Sequence, residues 1–405
     1  MLKKLALGLA LCGALLAGAG SAGAQQGRQL APVDPSAGFG VGEGAMQPAE
    51  AAAQVELAAK ALSQIAPQRP GVVDAYVLSV SFYNDPVFEK EASEAAAILG
   101  RRYDAAERTI ILSAGRGANV ARTYASASPN NFNAALGKIA ATMDLNEDLL
   151  VLFMTSHGSQ DGTVAIMEKG RMQGGLRPLQ LRLALQQAGI RNKVVIVSAC
   201  FSGNFIPPFI SDPGATILTA AAADKTSFGC EPSRDWTFFG DALFNHAMRG
   251  GQGLNEAYRD ALTLISGWEA DLHKQWEAMP PAQKKNSPEP EPSNPQNNLG
   301  DNVIPLVEKA EAYGLAVNCA GHLGFALDRA RSGRPLKGLA DMQVIQTSKA
   351  AVDARAMSEG ATRKRSSQDV AKAIAVTSAS TAQLFSAQPA DVTSRAARCA
   401  APPTD

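Results

Sequence analysis

Two short apolar runs, each ending in a small polar cluster, limit what this chain can fold into. Leu149-Leu150-Val151-Leu152-Phe153-Met154 runs into Thr155-Ser156-His157-Gly158, and Val194-Val195-Ile196-Val197 runs into Ser198-Ala199-Cys200-Phe201-Ser202-Gly203. Bounded runs of this kind read as strands buried on both faces, and residues 177–188 between them have the composition of a crossover helix. The unit is therefore βαβ, with parallel neighbouring strands. Ligands of open parallel sheets bind outside the carboxyl ends of the strands. His157 and Cys200 are thus expected at one reactive edge, a thiol and an imidazole sharing a cleft.

The rest of the chain fits around that unit. Lys3-Lys4, the apolar run 5–16 and the small residues ending Ala22-Gly23-Ala24 read as a secretory signal peptide over 1–24, which takes Cys12 away with it. Residues 25–48, rich in Gly, Pro, Ala and Gln, read as a flexible leader. Helical composition at 49–65, 87–99 and 131–143 alternates with strand candidates at 72–82, 109–112 and 215–220. That alternation predicts an α/β fold with a mostly parallel sheet over residues 49–310. Further helices are expected at 236–248 and 254–276; the proline-rich stretch 280–295 is a loop, lid or linker.

Beyond about residue 345, within the segment 311–405, the composition moves to Ala, Ser, Thr, Gln and Arg. The reading is a low-complexity C-terminal extension, partly disordered or loosely helical, with Arg363-Lys364-Arg365 a solvated charge cluster. Formal net charge is +0, with 38 basic and 38 acidic residues, so no long-range field recruits nucleic acid or an anionic membrane. No segment of the mature chain reads as a membrane span. Four cysteines remain after the signal, Cys200, Cys230, Cys319 and Cys399, and of the possible pairings Cys319 with Cys399 is the one expected.

A cysteine nucleophile needs a neighbouring imidazole or an electropositive setting to form its thiolate. His157 can supply the imidazole and return a proton to a leaving amine. The peptide N–H groups of Gly158 and Cys200, in turns with small neighbours, can form an oxyanion hole. Each residue taken singly is more often structural, because cysteine is among the most buried residue types; it is the joint placement at adjacent strand ends that points to catalysis. Other chemistries fit less well. Ile206 stands where a phosphatase loop needs arginine, Ser202 lacks a G-x-S-x-G elbow, and no His/Cys/Asp spacing suggests a metal. No cofactor is expected.

At these residues the chain resembles the legumain-type (asparaginyl endopeptidase) cysteine peptidases. Thr155-Ser156-His157-Gly158-Ser159 is similar to that family's D-H-G-S, and Ser198-Ala199-Cys200-Phe201-Ser202-Gly203 to its E-A-C-x-S-G. Residues 219–230 and Phe238-Phe239-Gly240-Asp241 resemble the family's pocket-lining segments, and the similarity runs from about Val72 to Gly300. The resemblance implies a caspase-like α/β/α sandwich, with Cys200 as nucleophile, His157 as general acid/base, and Gly158 with Cys200 as oxyanion hole. It also implies a substrate pocket containing Ser198, Ser227 and Asp241. Ser198 stands where the family has a pocket glutamate, and the turn after the first strand offers no arginine, so a neutral or small P1 residue fits at least as well as asparagine.

The resulting expectation is an exported, periplasmic or secreted, cysteine endopeptidase acting on peptide or protein substrates. A transamidase or ligase using the same acyl-enzyme is the nearest alternative. A catalytically silent envelope binding protein, with Cys200 unreactive or paired to Cys230, is the third.

Overall fold

The computed structural model describes residues 41–44, 46–116, 120–339 and 341–401. The expected signal peptide, Cys12 and the leader up to residue 40 lie outside the described residues.

In chain order the α/β part contains β1 (Gly42–Glu43), α1 (Pro48–Ser63), β2 (Ala75–Ser81), α2 (Pro86–Arg102), β3 (Thr109–Ser113), α3 (Pro129–Ala140) and β4 (Leu149–Thr155). There follow β5 (Val164–Glu168), β6 (Met172–Leu176), α4 (Pro178–Gln187), β7 (Lys193–Ser198) and β8 (Ala215–Thr219). The short α5 (Phe238–Gly240), α6 (Leu254–Glu277), α7 (Pro281–Lys284) and β9 (Asn297–Asn298) complete it. Six strands form one sheet in the order β3-β2-β4-β7-β8-β9, parallel throughout except for the antiparallel β9.

Every residue of β2, β4 and β7 is buried, as continuous apolar runs in a sheet covered on both faces must be. Tyr76, Leu78, Leu150, Leu152, Val195 and Val197 pack with residues of α3 and α4. The alternate set, Ala75, Val77, Leu149, Val151, Phe153, Val194 and Ile196, packs with α2, α6 and residues 236–248. The fold is thus an α/β/α sandwich with a mostly parallel sheet, as the sequence predicts.

Three features go beyond what the sequence predicts. The segment between β4 and α4 is not a plain connection: β5 and β6 form an antiparallel hairpin, extended by β1 into a second small sheet. Its second strand, Met172-Gln173-Gly174-Gly175-Leu176, lacks β-branched residues and gives little strand signal. The helix expected over 236–248 is a single turn, α5, followed by a π-helical turn at Asp241–His246. The proline-rich stretch lies along the sheet edge, where Ala222 N–H donates to Ser293 O (2.8 Å) and Thr219 N–H to Gln296 O (2.9 Å), leading into β9.

The C-terminal region is also more ordered than its composition suggests. α8 (Ile304–Arg331), α9 (Met342–Thr362), α10 (Ser367–Ala387) and α11 (Pro389–Ala400) pack on one another. The boundary expected at 310/311 falls inside α8, whose Val307 and Ala310 belong to the sheet's own core. Small residues let these helices approach closely; a Cβ at Gly321 would overlap Thr377 of α10. The Cys319–Cys399 disulfide joins α8 to α11, with Cα atoms 5.2 Å apart. Arg363 is buried rather than solvated, donating to Lys309 O (2.6 Å) and Ala310 O (2.7 Å), while Arg365 pairs with Asp104 (2.6 Å). No helix among the described residues is long and apolar enough to cross a membrane.

Candidate active site

β4 and β7 end together. Thr155 and Ser198 are register partners, and Ser156 N–H donates to Ser198 O (3.1 Å), carrying the pairing one step past both strands. The next residues on the two chains are His157 and Cys200. Side chains alternate along a strand, so Thr155, His157, Ser198 and Cys200 continue the phase of the α2-covered face. Gly158 then crosses directly over Cys200: a Cβ at position 158 would overlap the Cys200 carbonyl oxygen. Only glycine permits that approach, and it brings the two backbones expected to form the oxyanion hole face to face.

The imidazole is fixed on three sides. Its Nε2 is 3.2 Å from Asp85 Oδ2, and the rings of Tyr83 and Phe88 meet it edge-on at centroid separations of 4.5 Å and 5.0 Å. With Nε2 turned to the carboxylate, Nδ1 is the nitrogen left for proton exchange with the thiol or a leaving group. Asp85 is the N-cap residue of α2, yet its side chain makes no capping bond; the carboxylate is used on His157 instead.

Cys200 keeps its thiol rather than bridging to Cys230. Burial pushes that thiol's pKa up, while hydrogen bonds from Ser227 oppose the rise, Ser227 N–H lying 3.3 Å from Sγ and its Oγ 3.7 Å away. A donor aimed at sulfur favours the thiolate. The turn after the cysteine is strained and tied down. Phe201 adopts φ 58°, its N–H donates to Lys225 O (2.7 Å), and Ser202 Oγ accepts from the N–H groups of Ala220 (3.0 Å) and Ala221 (3.1 Å).

Of the residues expected at the site, the structure brings together His157, Gly158, Cys200 and Ser227. Ser198 lies one step beneath them, 2% exposed, with Oγ 3.0 Å from Thr237 Oγ1. Asp241 is turned elsewhere: its carboxylate accepts from Asn245 (2.8 Å) and faces His246 Nε2 (3.5 Å). Reasoning from sequence missed Asp85. Its signal was the Asn84-Asp85-Pro86 turn at the carboxyl end of the strand beside β4.

A buried carboxyl underlies the whole edge. Glu91 of α2 is fully buried and accepts hydrogen bonds from Thr155 Oγ1 and from Thr237 Oγ1 (2.7 Å). Burial pushes its pKa up to about 7 against these hydroxyls, and Asp241 adds to the rise.

A thiol, an imidazole oriented by a carboxylate and two facing backbones at one sheet edge are the parts of a cysteine-peptidase site. Residues 80–271 match the model of the Peptidase C13 family, which supports a legumain-type family of cysteine peptidases for the α/β unit of this chain. A search of curated proteins finds no match. Among solved structures, caspase-1 from Spodoptera frugiperda is similar with a TM-score of 0.38 and 11% identity, covering 56% of this chain and 86% of that one.

Proposed function

We propose that this protein is an exported, periplasmic or secreted, cysteine endopeptidase that works through a Cys200–His157 dyad. Cys200 gives its thiol proton to His157, and the Sγ thiolate attacks the carbonyl carbon of the scissile peptide bond. The C–N bond breaks, and the leaving amine takes its proton from His157. Water, deprotonated by His157, then attacks the thioester carbon and releases the carboxylic acid, returning the thiol. Gly158 and Cys200 N–H groups stabilise the tetrahedral oxyanion, and Asp85 holds the ring in place.

The observation carrying this reading is the crossing of Gly158 over Cys200 beside the Asp85–His157 pair. With Ser198 closed off and Asp241 engaged by His246, the cleft presents Ser227 but no carboxylate of the expected pocket, which suits a neutral P1 residue. The test is cleavage of a peptide library by the mature protein under reducing conditions. Cuts that vanish in both Cys200→Ala and His157→Ala support the assignment, and cleavage surviving Cys200→Ala sinks it. Product masses with added amine separate hydrolysis from acyl transfer. A Cys200 inert to alkylation would favour a silent binding protein.

A further inference from the structure

Buried carboxyls usually meet a cation or a nest of N–H donors, because an ionised group without such partners costs several kcal/mol. Among the described residues Glu91 forms no ion pair; its partners are two threonine hydroxyls, Thr155 from β4 and Thr237 from the turn before α5, and the backbone of Thr237. Thr237 Oγ1 also accepts from Gly240 N–H (3.0 Å) and lies 3.0 Å from Ser198 Oγ. With the Thr237 proton donated to Glu91, Ser198 must be the donor to Thr237. A directed chain therefore runs from Ser198 through Thr237 to one carboxyl oxygen, while Thr155 donates to the other.

Those hydroxyls mark the ends of the two catalytic strands. Thr155 precedes His157 by two residues, and Ser198 precedes Cys200 by two, all four on one face of the sheet. At about 3.3 Å per residue, the carboxyl is bonded to positions roughly 7 Å along the backbone from the dyad. The fold makes room for it, since a Cβ at Gly240 would overlap Glu91 Oε1.

We propose that Glu91 is a positioning residue of the dyad: through Thr155 on one side and Thr237 with Ser198 on the other, its carboxylate holds the two catalytic strand ends in register. This rests on the cysteine-peptidase reading above. The ionised form is the productive one, because a carboxylate accepts from both hydroxyls at once with no proton of its own to place. A protonated Glu91 has to donate. Thr237 Oγ1 already accepts from Gly240 and Ser198, so the proton falls to Thr155, whose hydroxyl must then turn away. The other charges around α2 do not take over this role. Asp241 faces His246, with Arg249 nearby; Arg102 and Glu311 neutralise each other; Asp85 is at the helix start on His157 itself.

The test compares the wild type with Glu91→Gln, which keeps shape and loses charge, and with Thr237→Val, which cuts the chain from Ser198. Folding of each is checked by circular dichroism. For Glu91→Gln above pH 8, kcat should fall about tenfold with KM within about twofold. The wild-type kcat/KM profile should carry a rise near neutral pH that the variant lacks, the two converging below about pH 6. Thr237→Val should lower kcat while keeping the neutral rise. An unchanged kcat, or a fall of equal size at every pH, would overturn the proposal. If the wild type cleaves nothing, the peptidase reading fails separately, and Cys200 alkylation by iodoacetamide across the same pH range still decides the point. Loss of a neutral inflection in Glu91→Gln supports the role of Glu91, and superimposable profiles refute it.

Discussion

Two of the buried glutamates, Glu91 of α2 and Glu311 of α8, are treated in opposite ways. Glu311 of α8 meets Arg102, whose Nη2 and Nε lie 2.7 Å and 3.0 Å from Oε2, while Leu254 N–H donates to Oε1 (3.1 Å). Its charge is matched, and the pair ties the C-terminal helices to the sheet's helical layer. Glu91 is given two hydroxyls and the backbone of Thr237 but no cation. The structural carboxyl is neutralised, and the one at the site is left able to change its charge near physiological pH.

This contrast can be broken most forcefully at Glu311. Glu311→Ala leaves Arg102 buried and uncompensated, which should cost about 3–5 kcal/mol in a denaturant melt; a loss below about 1 kcal/mol would mean the guanidinium finds water. Next in size is the staple of the same helical layer. Cys319→Ser should cost about 2–4 kcal/mol against the oxidised wild type and nothing against the reduced one.

Glu91→Gln should act in the other direction. A carboxyl whose folded pKa is raised to about 7 binds protons more tightly folded than unfolded, so wild-type stability falls as pH rises from about 4.5 through 7. Above pH 8 the variant should therefore be more stable, by roughly 2–3 kcal/mol, while being the slower enzyme. Equal melting temperatures across pH would show that Glu91 is solvated after all.

The smallest effect belongs to the histidine outside the site. His246 lies between Asp241 and Asp391, which raise its pKa to about 9 against the effect of burial, and Asp391 fixes α11 to the catalytic layer. A raised folded value means that this contribution is complete below pH 6.5 and lost as pH climbs through about 9. The expected size is roughly 1–2 kcal/mol, absent in Asp391→Asn, and read from melting temperature against pH.

The catalytic edge was legible in the sequence because it is written locally. A run buried on both faces that stops at Ser-His-Gly or Ser-Ala-Cys announces both the strand and the reactive end. Asp85 and Glu91 escaped notice for different reasons. Asp85 looks like an ordinary helix-capping residue, and only the folded structure shows the carboxylate turned to His157. Glu91 sits in Glu89-Lys90-Glu91-Ala92-Ser93-Glu94, where nothing distinguishes a fully buried carboxyl from its neighbours on the helix. The order of the C-terminal helices is not legible in composition, because a segment poor in aromatics can still build a core. Ala, Gly and Ser instead permit close helix contact, with Ser366 and Asp369 forming a capping box at the start of α10.

The bond between Cys319 and Cys399 also has a topological consequence. It closes a ring of chain, with a sequence separation of 80, that holds all of α9 and α10 together with both of their connecting turns. A protease that clips the turn after α8 or the one after α9 therefore cannot release a fragment. The nicked molecule keeps its mass on a non-reducing gel and separates into two pieces only when a reductant is added. Scission here would be a silent event, visible only to an observer who opens the ring.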